Sequence, residues 1–77
     1  MLEKIRSIFE EQFDISPEDI TESASFREDL GLDSLDLFEV ILELEREYGF
    51  EIAPEDLEKM ETVADVIEYF ETNGIEV

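Results

Sequence analysis

The stretch Gly31-Leu32-Asp33-Ser34-Leu35-Asp36 marks the start of the central helix and decides how the rest of the chain is interpreted. Asp33 is a favoured N-cap residue, and Asp36 places an acid in the first turn, where the helix dipole favours negative charge. Ser34 then occupies the first helical position, beside backbone N–H groups that have no partner within the helix. Because a helix N-terminus attracts anions, a phosphate ester on this hydroxyl would be well placed.

The helix that follows is predicted to span Ser34–Tyr48 and to end at Gly49, since glycine is favoured just beyond a helix C-terminus. At about 100° per residue, its apolar side chains gather on one face and its charged side chains on the other. The inward face contains Leu37, Val40, Ile41, Leu44 and Tyr48. The outward face contains Leu35, Asp36, Glu39, Leu42, Glu43 and Arg46.

Three more segments have the pattern of helices. Leu2–Phe13 carries an apolar stripe, and Pro54–Lys59 forms a short helix that starts with proline. Thr62–Asp65 resembles a capping box with aspartate in place of glutamate, and opens a helix that closes near Asn73. Thr21–Leu32 is a long connection. The 77 residues are therefore predicted to form one all-α domain, a small bundle of three main helices and one short helix.

The charge of the chain excludes several kinds of partner. Twenty-four acids and five bases give a formal net charge of −19. This charge disfavours nucleic acid and anionic membranes, whose phosphates need Lys and Arg contacts, and it favours proteins with basic surfaces. No apolar run is long enough to span a bilayer, and the amphipathic first residues lack the apolar block of a signal peptide. A cytoplasmic monomer is expected.

Catalytic and metal-binding machinery is not expected. A nucleophilic serine needs an adjacent base and a group that orients it, and the chain contains no histidine or cysteine. The carboxylates also lack the spacing of an EF-hand loop, so no structural metal site is predicted. We therefore predict that the protein is not an enzyme.

The Asp33-Ser34-Leu35 motif and its surroundings, from about Ile5 to Phe70, resemble the acyl carrier proteins. The resemblance implies that Ser34 carries a covalent 4'-phosphopantetheine, whose thiol holds acyl groups as thioesters. It also implies that Asp33 helps to bind the Mg²⁺ of the phosphopantetheinyl transferase. The protein is then expected to be a freestanding carrier that presents acyl intermediates to fatty-acid biosynthesis enzymes with basic surfaces.

The same resemblance assigns two further sets of residues. The positions that resemble the partner-docking surface are Leu35, Asp36, Glu39, Leu42 and Glu45. Arg46 stands where the family usually has an acid, so it places a positive charge inside a negative stripe. The positions that resemble an acyl-binding interior are Phe26, Leu30, Val40, Leu44, Met60, Ala64 and Ile67. An ordinary hydrophobic core accounts for these interior residues equally well.

Two alternative functions remain open from the sequence. A carrier for a polyketide, specialised-lipid or D-alanyl pathway shares the fold and the serine. An acidic helical protein-interaction module would show the same charge pattern without any modification of Ser34.

Overall fold

The computed structural model describes residues 1–76 and contains four α-helices. The helices are α1 (Leu2–Phe13), α2 (Ser34–Tyr48), α3 (Pro54–Leu57) and α4 (Val63–Thr72), with a single 3₁₀ turn at Pro17–Asp19. Within residues 1–76 no strand forms, although one isolated antiparallel bridge joins Ser25 to Thr62. The predicted all-α bundle of three longer helices and one short helix is confirmed.

The ends of α2 and α4 follow the capping signals in the sequence. Gly49 ends α2 in the left-handed conformation, with φ of 63°, which a side chain would disfavour. At the start of α4, the Asp65 backbone N–H donates to Thr62 Oγ1 at 3.2 Å. The Thr62 backbone N–H in turn donates to Asp65 Oδ2 at 3.1 Å, which completes the predicted capping box.

Helix α3 is shorter than the sequence predicts, because it ends at Leu57 rather than Lys59. The backbone N–H of Lys59 bonds to the carbonyl of Asp56 at 3.1 Å, and the N–H of Met60 bonds to the carbonyl of Leu57 at 3.1 Å. Both bonds span three residues instead of four. The end of the segment is therefore wound into tighter turns.

The core is a single apolar cluster to which all three long helices contribute. No polar or charged side chain among residues 1–76 is buried. Phe9 of α1 stacks on Phe26 of the long connection at a centroid distance of 6.2 Å. Phe70 of α4 packs in T-shaped geometry with Tyr48 and with Phe50, at centroid distances of 5.6 Å each, which joins α4 to the end of α2.

The long connection before α2 is tied to the start of α4 by backbone hydrogen bonds. The N–H of Phe26 donates to the carbonyl of Glu61 at 2.9 Å, and the N–H of Val63 donates to the carbonyl of Ala24 at 3.1 Å. The N–H of Leu32 then donates to the carbonyl of Phe26 at 2.8 Å. These bonds and the burial of Phe26 fix the path by which the chain enters α2.

Candidate functional site

Ser34 is the first residue of α2, and its side chain is exposed. Asp33 adopts extended backbone angles at the N-cap, and its Oδ1 accepts a hydrogen bond from the backbone N–H of Asp36 at 2.9 Å. The second carboxylate oxygen of Asp33 has no hydrogen-bond partner among residues 1–76. The predicted cap therefore forms, and it leaves free one carboxylate oxygen of the residue that precedes Ser34.

Arg27 is the side chain that contacts the Ser34 hydroxyl, and sequence reasoning missed it. Its Nη2 donates to Ser34 Oγ at 3.2 Å. Arg27 lies in a tight turn in which the Glu28 N–H donates to Ser25 Oγ at 3.2 Å. The Ser25 N–H also donates to Asp29 Oδ2 at 2.7 Å, which closes the turn. A hydroxyl oxygen that accepts from Arg27 keeps its own proton available for donation.

The outward face of α2 begins beside Ser34 and carries a row of exposed apolar side chains. Leu35, Phe38 and Leu42 are 68%, 48% and 37% exposed, and they recur at intervals of three and four residues. Glu39 is exposed beside this row, and Asp36 is partly exposed. We call Leu35, Asp36, Phe38, Glu39 and Leu42 the outer face of α2. Phe38 was not predicted, although its spacing from the two outward leucines was a usable signal.

Glu45 and Arg46 contribute to the surface differently from the outer face. Glu45 is half-buried, and its Oε2 accepts the backbone N–H of Ile52 at 2.8 Å, so it fixes the segment that follows α2. Arg46 is exposed, and its Nη1 lies 3.2 Å from Glu43 Oε1. The docking role predicted for Glu45 therefore stays a prediction, and the structure gives this residue a bonding role of its own.

Comparison with known proteins identifies the family of this chain. The family described as "Phosphopantetheine attachment site" matches residues 3–70. An acyl carrier protein of Chlamydia muridarum is 49% identical over 67 residues, which cover 87% of this chain and 87% of that protein. An acyl carrier protein of Wolinella succinogenes is 42% identical over 73 residues, which cover 95% of this chain and 96% of that protein. The chain belongs to the acyl carrier protein family.

An acyl carrier protein is a carrier and not an enzyme, and its matched domain receives 4'-phosphopantetheine. The predicted family, cofactor and lack of enzymatic activity are confirmed by these matches. Carrier work requires contact with acyl-processing enzymes. The residues around α2 fit the prosthetic group, because Ser34 presents an exposed oxygen at a helix N-terminus with a guanidinium 3.2 Å away.

The residues predicted to line an acyl-binding interior belong mostly to the hydrophobic core. Five of the predicted acyl-pocket residues are buried in the single cluster: Phe26, Val40, Leu44, Met60 and Ile67. The other two, Leu30 and Ala64, are half-buried. Met60 also lines an open surface groove of about 370 Å³ beside α3 and α4. An acyl-binding role for these residues stays a prediction.

Tyr69 links α3 to α4 at the same groove. Its hydroxyl donates to Asp56 Oδ2 at 2.8 Å. This hydrogen bond, followed by desolvation and the charge of Asp56, raises the pKa of Tyr69 above its ordinary value. The contact holds the short helix against α4.

Among residues 1–76, no three His, Cys, Asp or Glu side chains converge to hold a metal ion. None of the helices in this part of the chain combines the length and apolar character that crossing a bilayer requires.

Proposed function

We propose that Ser34 carries the 4'-phosphopantetheine of this acyl carrier protein and that the loaded protein serves fatty-acid synthesis by discrete enzymes. The exposed Ser34 oxygen at the N-terminus of α2, inside the matched residues 3–70, is the observation that carries the proposal. When bound, the arm supplies a terminal thiol that forms thioesters, a group that this chain lacks because it has no cysteine.

In the modification, Ser34 Oγ forms a bond to a phosphorus of the coenzyme A pyrophosphate. The bond from that phosphorus to the adenosine bisphosphate breaks, and the serine proton passes to a base on the transferase. The free oxygen of Asp33 supports a role in holding the Mg²⁺ of the transferase, since hard cations prefer carboxylate oxygens. One carboxylate then caps the helix with one oxygen and contacts the cation with the other.

The outer face of α2 supports a docking role for Leu35, Asp36, Glu39 and Leu42, to which we add Phe38. Exposed apolar side chains give a partner contact area, and the acids around them attract a basic patch. A rigid helix also keeps the attachment point of the arm at fixed distances from the docking residues. Partners with basic surfaces around an apolar cleft fit this face.

The assignment to fatty-acid synthesis is proposed from the acidic charge of the chain and from the residues of its attachment motif, Asp33-Ser34-Leu35-Asp36. Both named relatives are acyl carrier proteins, a name that does not separate fatty-acid carriers from carriers of other acyl groups. We also place the chain with its enzymes in the cytoplasm, a compartment that its lack of cysteine permits because no disulfide is needed. We propose that it acts as a monomer, since its apolar stripes suffice for one small core.

We further propose that the cluster between α2 and α4 shelters a bound acyl chain. Val40 and Leu44 contribute to this cluster from α2, and Ile67 contributes from α4. Met60 is flexible enough to accommodate a change in volume. Protein loaded with an eight-carbon acyl chain should then melt at a higher temperature than the unacylated form, because ligands that bind only the folded state stabilise it. Equal melting temperatures would contradict this assignment.

The attachment site is tested by intact-mass measurement after incubation with coenzyme A, Mg²⁺ and a phosphopantetheinyl transferase. The wild-type chain should gain the mass of one phosphopantetheine unit, and Ser34→Ala should gain none. Ser16→Ala is the matched control, because Ser16 is another exposed serine that directly precedes a helical turn rich in acids. Loss of modification in Ser16→Ala, or its persistence in Ser34→Ala, contradicts the assignment.

The pathway is tested separately with the modified protein. In one arm it is supplied with malonyl-coenzyme A, a malonyl transferase and the condensing and reducing enzymes of fatty-acid synthesis. In the other arm it is supplied with D-alanine, ATP and a D-alanyl carrier ligase. Chain elongation in the first arm supports the proposal. Charging with D-alanine alone refutes the pathway and leaves the attachment site intact.

A further inference from the structure

We propose that Arg27 binds the phosphate that joins the prosthetic arm to Ser34, and so anchors the root of the arm against the turn before α2. The inference rests on the proposed modification of Ser34. It gives a role to the side chain that touches the modified hydroxyl, with Nη2 and Oγ 3.2 Å apart.

The pairing of the basic side chains singles out Arg27. Lys4, Arg6, Arg46 and Lys59 each lie within 4.0 Å of a carboxylate, on Glu47, Glu3, Glu43 and Asp56 respectively. Arg27 is the remaining base of the five, and within residues 1–76 it forms no such ion pair. In a chain with 24 acids, a guanidinium without a carboxylate partner is the exception.

The adjacent acid, Glu28, forms no ion pair with Arg27 within residues 1–76, and two more acids close to Arg27 in the sequence are held by other groups. Asp29 Oδ2 accepts the backbone N–H of Ser25 at 2.7 Å, and Asp33 Oδ1 accepts the N–H of Asp36 at 2.9 Å. These bonds close the turn and cap the helix. They leave the Arg27 guanidinium directed to an uncharged hydroxyl, which is a weak partner for a cation.

Esterification of Ser34 changes that partner from a neutral oxygen to an anion. The non-bridging phosphate oxygens are only two bonds from Oγ, which the guanidinium already contacts. Arginine carries five donors in a planar fork that suits phosphate, and such charge-assisted bonds are about twice as strong as neutral ones. The phosphodiester is therefore a better partner for Arg27 than the hydroxyl it replaces.

Phosphorus NMR of the phosphopantetheinylated protein tests this contact. The phosphodiester resonance of Arg27→Ala should move from its wild-type position at low salt, and Arg27→Lys should fall between the two. Because the contact is exposed, added salt should move the wild-type resonance toward that of Arg27→Ala. In wild-type protein, the Arg27 guanidinium protons should exchange with solvent several-fold more slowly after modification than before.

Arg46→Ala is the matched control, because it removes an exposed arginine of the same charge from the far part of α2. Its phosphodiester resonance should coincide with that of the wild type. A resonance that is unchanged in Arg27→Ala, or moved equally by Arg46→Ala, overturns the inference. If intact mass shows no phosphopantetheine on the wild type, the proposed function fails and the anchor with it. If the mass is gained and the resonance is insensitive to Arg27, only the anchor fails.

Discussion

Asp33 is expected to have two roles that two substitutions can separate. Its Oδ1 caps α2 through the Asp36 N–H at 2.9 Å, and its other oxygen is free for a cation during modification. Asp33→Asn keeps a side-chain oxygen for the cap and removes the charge. Asp33→Ala removes both. We expect both variants to be poorly modified, and we expect Asp33→Ala to be more destabilised than Asp33→Asn.

The size of the stability effect follows from the geometry. Asp33 is exposed, so its truncation leaves no cavity, and the lost cap costs about 1 kcal/mol. In a domain of this size, that cost lowers the melting temperature by about 4–8 °C. Asparagine caps about as well as aspartate. Loss of the carboxylate charge at the positive end of the helix dipole costs each variant ~0.3–1 kcal/mol. Asp33→Ala therefore loses the cap and the charge, whereas Asp33→Asn loses only the charge.

Thermal unfolding and the rate of modification at limiting Mg²⁺ measure the two roles independently. Asp19→Asn serves as a control for the loss of one negative charge, because Asp19 is exposed in the 3₁₀ turn. Equal melting temperatures for Asp33→Ala and Asp33→Asn would refute the cap. A wild-type rate of modification in Asp33→Asn would refute the role of the charge.

Four further predictions concern docking, packing, ionisation and salt. Glu39→Lys should slow acyl transfer to a basic partner several-fold at low salt, because it reverses a charge on the outer face of α2. The control Glu11→Lys on α1 should leave the transfer rate unchanged, and equal rates for the two variants would remove Glu39 from the interface. Phe26→Ala should lower the free energy of unfolding by about 3–5 kcal/mol, measured with denaturant, because Phe26 is 1% exposed and stacks on Phe9. A loss below about 1 kcal/mol would show that Phe26 does not anchor the long connection. Because the pKa of Tyr69 is raised in the folded state, its contribution to stability is complete below its unfolded pKa of about 10 and is lost as pH rises through the folded pKa. The stability difference between the wild type and Tyr69→Phe should therefore shrink as pH rises above about 10, and a constant difference would contradict this prediction. Higher ionic strength should raise the melting temperature, because it screens the repulsion within a chain of net charge −19. Between about 0.01 M and about 1 M salt the Debye length falls from about 30 Å to about 3 Å. An unchanged melting temperature over this range would show that self-repulsion is unimportant.

The parts of the structure that local chemistry determines could be predicted from the sequence. Both ends of α2 follow from Asp33 and Gly49, and the start of α4 follows from the pairing of Thr62 with Asp65. These signals are reliable because each concerns residues within one or two turns of the helix end. The apolar spacing likewise identified the buried face of α2, where Leu37, Val40, Ile41 and Leu44 are buried.

The parts that depend on distant contacts could not be predicted. The bridge between Ser25 and Thr62 joins segments that are far apart in sequence, and no local pattern indicates their pairing. Arg27 meets Ser34 only because the intervening turn folds back, so this contact had no sequence signal. Glu45 reads as a surface acid in a helical projection. Its hydrogen bond to the Ile52 N–H depends on how the chain turns after α2.

The arrangement of α2 places the proposed attachment and docking residues toward the same side of one helix. At 100° per residue, Phe38 lies about 40° around the helix from Ser34 and Leu42 about 80°, with rises of about 6 Å and 12 Å. Phe38 and Leu42 are exposed, as Ser34 is. A partner that grips this row therefore has the root of the arm at the edge of its contact, within about two turns of the helix. Substitutions on this side should alter transfer kinetics with little loss of stability, while substitutions on the buried side should do the reverse.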